Sequence, residues 1–505
     1  MDPIAALREH FGFDAFRPGQ ERAVRAAIGP PARDALVVMP TGAGKSLCYQ
    51  LPALVRDDLT IVVSPLVSLM ADQVDALEAI APGRVALVNA QRDGAENRVA
   101  LRRAAAAGGL RLLYVAPERF ASASFLAAMD GVRVGLFVVD EAHCVSQWGH
   151  DFRPDYFRLS GAARRLGAEA IIASTATATP QVAADIETRL GLRDPVRIAT
   201  GFDRPNLSFA IIPCASAQAS HRRIAAALAV PGATPAIVYA GTRERAETLA
   251  ARLSQSLPAG AGVYHAGLAR ERRRAAQRAF MEGAPDVVVA TNAFGMGIDK
   301  ADVRTVCHET VPGSIEAYYQ EAGRAGRDGR PARALLFADR RDRRLHAFFI
   351  RRGEASDQNA RWERHRAMWA FVEGSACRRR TILRHFGDPR RPAPQPGVPC
   401  CDVCDPGWLP AAPAGRGAPA DLDAAILAVL TATTPAVGRA QVVEILRGDR
   451  SRTIVERGHD GLAQYATFAH VPARDVLARI DALVAEGRTP AGDAARPTPP
   501  SVPYA

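Results

Sequence analysis

Asp140-Glu141-Ala142-His143-Cys144-Val145-Ser146-Gln147-Trp148-Gly149-His150-Asp151-Phe152-Arg153-Pro154 follows the apolar run Leu136-Phe137-Val138-Val139, which reads as a buried strand. A buried strand that ends in two carboxylates can hold a hydrated Mg²⁺ through the first, Asp140. The second, Glu141, can orient the water that attacks a γ-phosphate. Just downstream, Trp148, His150, Phe152 and Arg153 mix aromatic and basic groups in one short loop, a combination that can stack a base and touch a phosphate. ATP chemistry and nucleic-acid contact are therefore expected side by side. Taken alone, Asp-Glu after a strand is explained as well by a solvated strand end. A phosphate loop upstream decides between the two readings.

That loop is present. The apolar run Val37-Val38-Met39-Pro40 is followed by Thr41-Gly42-Ala43-Gly44-Lys45-Ser46. Glycines let backbone N–H groups close around phosphate oxygens, Lys45 can reach the β- and γ-phosphates, and the Ser46 hydroxyl can join Asp140 on Mg²⁺. The general pattern has a glycine five positions before Gly44, where this chain has Met39.

Around these two motifs, short apolar runs alternate with helical patterns: Leu36-Val38, Ile61-Val63, Leu112-Val115, Leu136-Val139 and Ile171-Ala173. The rhythm is βαβ, hence a parallel sheet with working loops at its carboxyl edge. It repeats through Ala236-Tyr239, Val287-Ala290, Val303-Val306 and Ala334-Phe337 without a second phosphate loop. The fold class is α/β, with two lobes, the first binding nucleotide and the second completing its site. Ala173-Ser174-Thr175-Ala176-Thr177 ends a strand in hydroxyls that can link the ATP site to the interlobe cleft. In the second lobe Tyr319-Gln320-Glu321-Ala322-Gly323-Arg324-Ala325-Gly326-Arg327 places two arginines three apart, read as one helix face. An arginine brought from a second lobe can stabilise charge on a departing γ-phosphate. The simpler alternative is a solvated basic face.

The 505-residue chain has room for three or four domains, and 48% hydrophobic residues suffice for ordinary cores. Net charge of +11 and a pI near 9.6 suit a polyanionic partner. No run of eighteen apolar residues and no basic, apolar leader is read, so a cytoplasmic protein without membrane attachment is expected. Of eight cysteines, Cys48, Cys144, Cys214 and Cys307 are dispersed and read as small buried hydrophobes. Cys377, Cys400, Cys401 and Cys404 cluster, and four thiolates can close a tetrahedral structural Zn²⁺ site. Only Cys401 and Cys404 have the common ligand spacing, which leaves Cys400 open as a bystander.

In their order these elements resemble the RecQ family of superfamily-2 DNA helicases, from about Leu7 to Gly487. The resemblance implies two RecA-like lobes, a helical zinc-binding subdomain and a winged-helix-like domain. The expected bounds are 1–204, 205–340, 341–408, a Pro-rich linker 409–420, 421–488, and a disordered tail 489–505. Phe11-Gly12-Phe13-Asp14-Ala15-Phe16-Arg17-Pro18-Gly19-Gln20 looks like the family's adenine-reading segment, which assigns Arg17 and Gln20 to nucleotide together with Thr41, Gly42, Gly44, Lys45 and Ser46. Ser64-Pro65-Leu66-Val67-Ser68-Leu69-Met70 and Ala116-Pro117-Glu118-Arg119 resemble strand-tracking motifs, and Ala290-Thr291 closes another strand. They add Ser64, Arg119 and Thr291 to Trp148, His150, Phe152 and Arg153 as DNA contacts. Gln320, Arg324 and Arg327 match the sixth motif and join Lys45, Asp140 and Glu141 as the catalytic set. Some family members have a comparable Cys-Cys-Asp-x-Cys zinc arrangement.

Gly438-Arg439-Ala440-Gln441-Val442-Val443-Glu444-Ile445-Leu446-Arg447-Gly448 and Gly458-His459-Asp460-Gly461-Leu462 resemble the family's winged helix. The prolines after Gly487 predict a shortened wing, and no accessory RNase-D-like domain is expected. The resemblance implies ATP-dependent 3′→5′ unwinding in DNA repair or recombination, with ATP, Mg²⁺ and Zn²⁺. Implied partners are single-stranded and partly duplex DNA and a single-strand-binding protein. A monomer is expected, associated with the nucleoid if the source is bacterial. An RNA helicase and a DNA-binding scaffold with a vestigial motor are the competing readings.

Overall fold

The computed structural model of the chain describes residues 2–65, 67–89, 93–106, 109–149, 151–294, 300–352, 358–409, 422–434, 437–449, 451–469 and 471–488. Two compact units result: Met1–Ile212 with Leu228–Leu409, and Pro213–Ala227 with the described part of Pro410–Ala505.

The first unit contains two parallel sheets. One is built from β1 (Ala35–Val38), β2 (Leu59–Val63), β3 (Val85–Val88), β4 (Leu112–Val115), β5 (Val134–Val139), β6 (Ala170–Thr175) and β7 (Val196–Ala199), in the order β3-β4-β2-β5-β6-β1-β7. All six neighbouring pairs are parallel. Strands β1 to β6 are buried along their whole length, because helices cover both faces. Alternate residues feed opposite cores. Val37, Val62, Tyr114, Val138 and Ile172 face one, and Val38, Val63, Val115, Val139 and Ala173 face the other. The edge strand β7 is half-exposed, so it left no apolar run to read.

The second sheet comprises β8 (Leu207–Cys214), β9 (Ala236–Tyr239), β10 (Gly262–Tyr264), β11 (Val287–Ala290), β12 (Thr305–His308) and β13 (Ala332–Asp339), in the order β10-β11-β9-β12-β13-β8. β12 is shifted two residues toward the C-terminus from the apolar run Val303-Val306. Arg304 and Thr305 donate their N–H groups to the Pro235 carbonyl, and that fixes Thr305 opposite Ala236.

Three helices follow, Arg341–Arg352, Gln358–Glu373 and Arg378–His385. Their apolar faces (Trp369, Phe371, Ile382, Leu383) extend the same core that fills both lobes. Arg379 is 1% exposed, and its guanidinium donates to Asp203 Oδ1 at 2.8 Å, the Arg204 carbonyl at 2.7 Å and the Leu207 carbonyl at 2.8 Å. It thereby ties this subdomain to the segment joining the two sheets.

In the second unit the expected helices are found at Leu422–Ala432, Arg439–Arg447 and Ala473–Ala485, around a core of Ile426, Val429, Val442, Ile445 and Ile480. A short helix, Arg452–Glu456, was not legible because it presents too few apolar positions to show a period. No strand occurs among the described residues of this unit after Leu422. The linker from Pro410 and the tail from Thr489 lie outside the described residues.

Candidate functional site

The phosphate loop leaves the carboxyl end of β1 and runs into the helix Leu47–Val55. Gly42 (φ 84°) and Gly44 (φ 79°) adopt left-handed backbone that a side chain would strain. A Cβ at Gly44 would also lie 2.5 Å from Gln20 Nε2. Gln20 is buried beneath the loop: its amide donates to the Gly44 carbonyl at 3.0 Å and the Ala43 carbonyl at 3.2 Å, and its oxygen accepts from Arg17 N–H. Arg17 donates to the Gly42 carbonyl at 2.7 Å. The adenine-reading candidates thus hold the phosphate loop from behind. Met39, at the missing-glycine position, is a buried core residue, and its carbonyl accepts from Lys45 Nζ at 3.2 Å.

Asp140 and Glu141 close β5. Asp140 donates its N–H to the Val63 carbonyl and accepts at its own carbonyl from the Tyr156 hydroxyl. Burial, then the neighbouring Glu141, push the Asp140 carboxyl up to about 7, with Lys45 working the other way. A buried carboxylate so disfavoured as an anion is a ready cation ligand, and Ser46 stands at the N-terminus of the helix Leu47–Val55 with its hydroxyl not used in capping it. These two groups fit Mg²⁺ carried by a nucleotide. Glu141 holds φ 47° and ψ 46°, a left-handed conformation that costs about 1–2 kcal/mol. The bonds to Val63, Tyr156 and, from Cys144 N–H, to the Glu141 carbonyl fix it there. Glu141 Oε2 lies 3.3 Å from His143 Nδ1, which is also 3.0 Å from Thr175 Oγ1. Thr175 gives its own hydroxyl proton to the Thr177 carbonyl, so it accepts from His143 Nδ1–H. The hydroxyl-rich end of β6 therefore reaches Glu141 through His143.

Lobe 2 supplies Arg327. Its stem lies against Gly42, 3.3 Å from where a Cβ would stand. Burial lowers Lys45 most; Glu141 and Asp140 raise it, and Arg327 adds to the lowering. Lys45, Asp140, Glu141 and Arg327 thus share one electrostatic neighbourhood. The helix-face reading of Arg324 and Arg327 is corrected: the helix Ile315–Ala322 ends before them. Gly326 (φ 61°) turns the chain and donates to the Val303 carbonyl, so successive turns, not a helix, present the two arginines. Arg324 is 6% exposed, and with Gln320 it lines a cleft of about 590 Å³ bounded also by Gln147, Phe152 and Arg153.

The aromatic loop itself is structured. The Phe152 ring packs against Phe157 at 5.2 Å, Trp148 leans on the core, and Arg153 pairs with Asp151 at 3.0 Å while donating to the Pro65 carbonyl at 3.2 Å. His150 lies outside the described residues, as does the segment 295–299 after Thr291. Ser64 follows β2 with its hydroxyl buried and without a hydrogen-bond partner among the described residues. Arg119 stands 5.9 Å over the Phe125 ring, and Thr291 donates its N–H to the Tyr264 carbonyl. These three sit at the carboxyl ends of β2, β4 and β11, apart from the phosphate loop.

The four clustered cysteines converge, with all four sulfurs within 4.8 Å of one another. Cys377 and Cys400 are 3.7 Å apart and Cys401 and Cys377 3.9 Å, close to the roughly 3.8 Å expected between thiolates on a tetrahedral Zn²⁺. Cys400, left open by spacing, is part of the set. Its hydrogen bond to Cys401 raises Cys400 and draws Cys401 down to about 4, while burial and the other thiols push Cys404 up to about 12. Such a set cannot ionise together without a cation, and structural Zn²⁺ fits it. Arg378 steadies the loop by a bidentate pair with Asp402. The dispersed cysteines are all buried, as expected.

Four family models match the chain: DEAD/DEAH box helicase over residues 17–186, Helicase conserved C-terminal domain over 223–329, RecQ zinc-binding over 340–405 and RQC domain over 421–491. The "ATP-dependent DNA helicase RecQ" of Haemophilus influenzae is 38% identical over 92% of this chain and 72% of its own length. The protein of the same name from Bacillus subtilis is 35% identical over 97% of this chain and 81% of its own. Among solved structures, the Mycobacterium smegmatis helicase Lhr bound to ssDNA and AMP-PNP superposes with a TM-score of 0.54 at 23% identity. It covers 77% of this chain and 56% of that one, a likeness of fold.

Proposed function

We infer the activity of this chain from its family and its site together: it belongs to the RecQ family of DNA helicases and works as an ATP-dependent DNA helicase. The observation that carries the mechanism is the meeting of Lys45, Asp140 and Glu141 from one lobe with Arg327 from the other around a single phosphate loop. ATP binds with its phosphates against the loop. Lys45 leaves the Met39 carbonyl for the β- and γ-oxygens, and Arg327 meets the γ-phosphate from the opposite side. Mg²⁺ held by Ser46 and Asp140 supplies neutralising charge when bound. Glu141, fixed by its backbone and by His143, orients the attacking water. Arg327 can act only while the lobes are closed, so hydrolysis and lobe movement are linked.

DNA enters this scheme through the loop 147–153, which is joined to Glu141 by a few residues and through His143 to Thr175. Movement of the loop on a bound strand therefore reaches the catalytic carboxylate. Ser64, Arg119 and Thr291 lie at strand ends of both lobes, where a single strand can be held across the cleft. Family resemblance supports 3′→5′ travel, a place in DNA repair or recombination, action in the cytoplasm or nucleoid as a monomer, and a single-strand-binding protein as partner. No described helix is long and apolar enough to cross a membrane.

The test is ATP hydrolysis and strand displacement on 3′-tailed and forked DNA, with duplex RNA in parallel. Phe152→Ala or Arg153→Ala is expected to lose most DNA stimulation and most unwinding while affinity for DNA falls little. Phosphate contacts elsewhere carry that affinity. Equal unwinding of RNA, or hydrolysis indifferent to DNA in the wild type, would replace this reading with the RNA-helicase or scaffold alternative.

A further inference from the structure

The aromatic loop is held from two sides. On one side Arg153 donates to the Pro65 carbonyl at the end of β2. On the other, Arg364 of the zinc subdomain donates from Nη1 to the Gln147 carbonyl at 3.2 Å and the Trp148 carbonyl at 3.1 Å. The helix Gln358–Glu373 that carries Arg364 buries Met368 and Trp369 in the common core, so the guanidinium is offered from a fixed element. Residues 361, 364 and 365 stand on the cleft side of that helix, facing Phe152 and Arg153 across the cleft of about 590 Å³. Between the two anchors Gly149, Asp151 and Phe152 line that open space, and that space is where the loop can move.

From these contacts we propose that Arg364 is a positioning residue for DNA-dependent ATP hydrolysis: it holds the loop at Gln147 and Trp148 in the register from which a bound strand shifts Glu141 and His143. The zinc subdomain then acts in coupling as well as in stability. The contact fits this role because a cationic donor on two successive backbone carbonyls is strong and directional, yet independent of the loop's side chains. It takes up none of the loop's own side chains. It also meets the loop only a few residues after Glu141, so a small displacement there is not absorbed by slack chain. The proposal rests on the reading of the loop as the DNA sensor.

The experiment compares Arg364→Ala, Arg364→Lys and Phe152→Ala with wild type in the full chain, measuring hydrolysis without DNA, hydrolysis at saturating single-stranded DNA, half-saturating DNA concentration and bound zinc. For Arg364→Ala the expected result is unchanged basal turnover and one zinc per chain. DNA-stimulated turnover should fall about tenfold, with a half-saturating concentration within about threefold of wild type. Arg364→Lys, which keeps the charge on a shorter and less directional donor, is expected to recover part of the stimulation. If Phe152→Ala loses stimulation and Arg364→Ala keeps it, the inference fails and the sensor reading stands. If Phe152→Ala keeps stimulation, both fall. Zinc loss or a matching fall in basal turnover for Arg364→Ala would reduce the residue to a structural one and overturn the proposal.

Discussion

The two lobes share an architecture and differ in chemistry. Each is a parallel sheet whose loops at the carboxyl edge face the cleft. In lobe 1 the turn after β1 has two left-handed glycines and a lysine, and the turn after β5 has two carboxylates. The corresponding turn of lobe 2, Ala240-Gly241-Thr242 after β9, has neither lysine nor phosphate loop; Gly241 donates its N–H to the Thr310 hydroxyl and the chain enters the next helix. What lobe 2 contributes comes from a run of turns, where Gly323 and Gly326 break a helix and deliver Arg324 and Arg327. One lobe holds the ligand, and the other brings a counter-charge to it. A repeated fold can thus be divided between binding and presentation by changing a few loop residues while the sheets stay the same.

That division makes ranked predictions. Lys45→Ala should bring steady-state ATP hydrolysis with saturating single-stranded DNA down to background, a loss greater than about 10³-fold, with DNA binding retained. Turnover near wild type would remove lobe 1 from the chemistry. Arg327→Ala should cost somewhat less, about 10²- to 10³-fold in turnover, with nucleotide affinity changed little, because its charge matters most as the γ-phosphate departs. Equal losses in affinity and turnover would instead make lobe 2 a second binding surface.

The segment joining the lobes sharpens the comparison in stability. Arg379→Ala removes the charged donor from Asp203 Oδ1 and from the Arg204 and Leu207 carbonyls and should cost about 3–5 kcal/mol in urea unfolding of the first unit. Loss of less than about 1 kcal/mol would show that the lobes do not depend on this tie. Asp388, which accepts from Phe202 N–H at 3.0 Å in the same segment, gives the smallest effect. The Arg390 guanidinium holds its carboxyl down at about 2, against burial, with the Phe202 and Arg390 N–H groups assisting. A carboxylate so depressed contributes stability above its unfolded value near 3.9 and loses it as pH falls through about 2. Asp388→Asn should therefore be about 1–2 kcal/mol less stable than wild type at pH 7, with the gap narrowing as pH falls below about 4. A gap independent of pH would mean that the carboxylate charge plays no part.

Much of this arrangement was legible because buried parallel strands are apolar on both faces. Leu112–Val115, Ala236–Tyr239 and Val287–Ala290 coincide with the apolar runs that announced them. The phosphate loop, Asp140-Glu141 and the cysteine cluster were legible because each needs particular residue types within a few positions. Edge strands β7 and β10 were not, since a half-exposed strand carries no continuous apolar signal.

By itself, then, the sequence determined the local chemistry: which turns can hold phosphate, which strand ends carry carboxylates, which thiols can share a metal. These depend on short-range spacing, and short-range spacing is written in the chain. Only the tertiary structure decided how distant pieces meet. It turned Arg324 and Arg327 from a helix face into a run of turns, put Arg327 against Gly42, joined His143 to Thr175, and set Arg364 on the carbonyls of Gln147 and Trp148. Arginine and histidine side chains are long and surface-tolerant. Their partners follow from the packing of whole elements, and local pattern has no term for that distance.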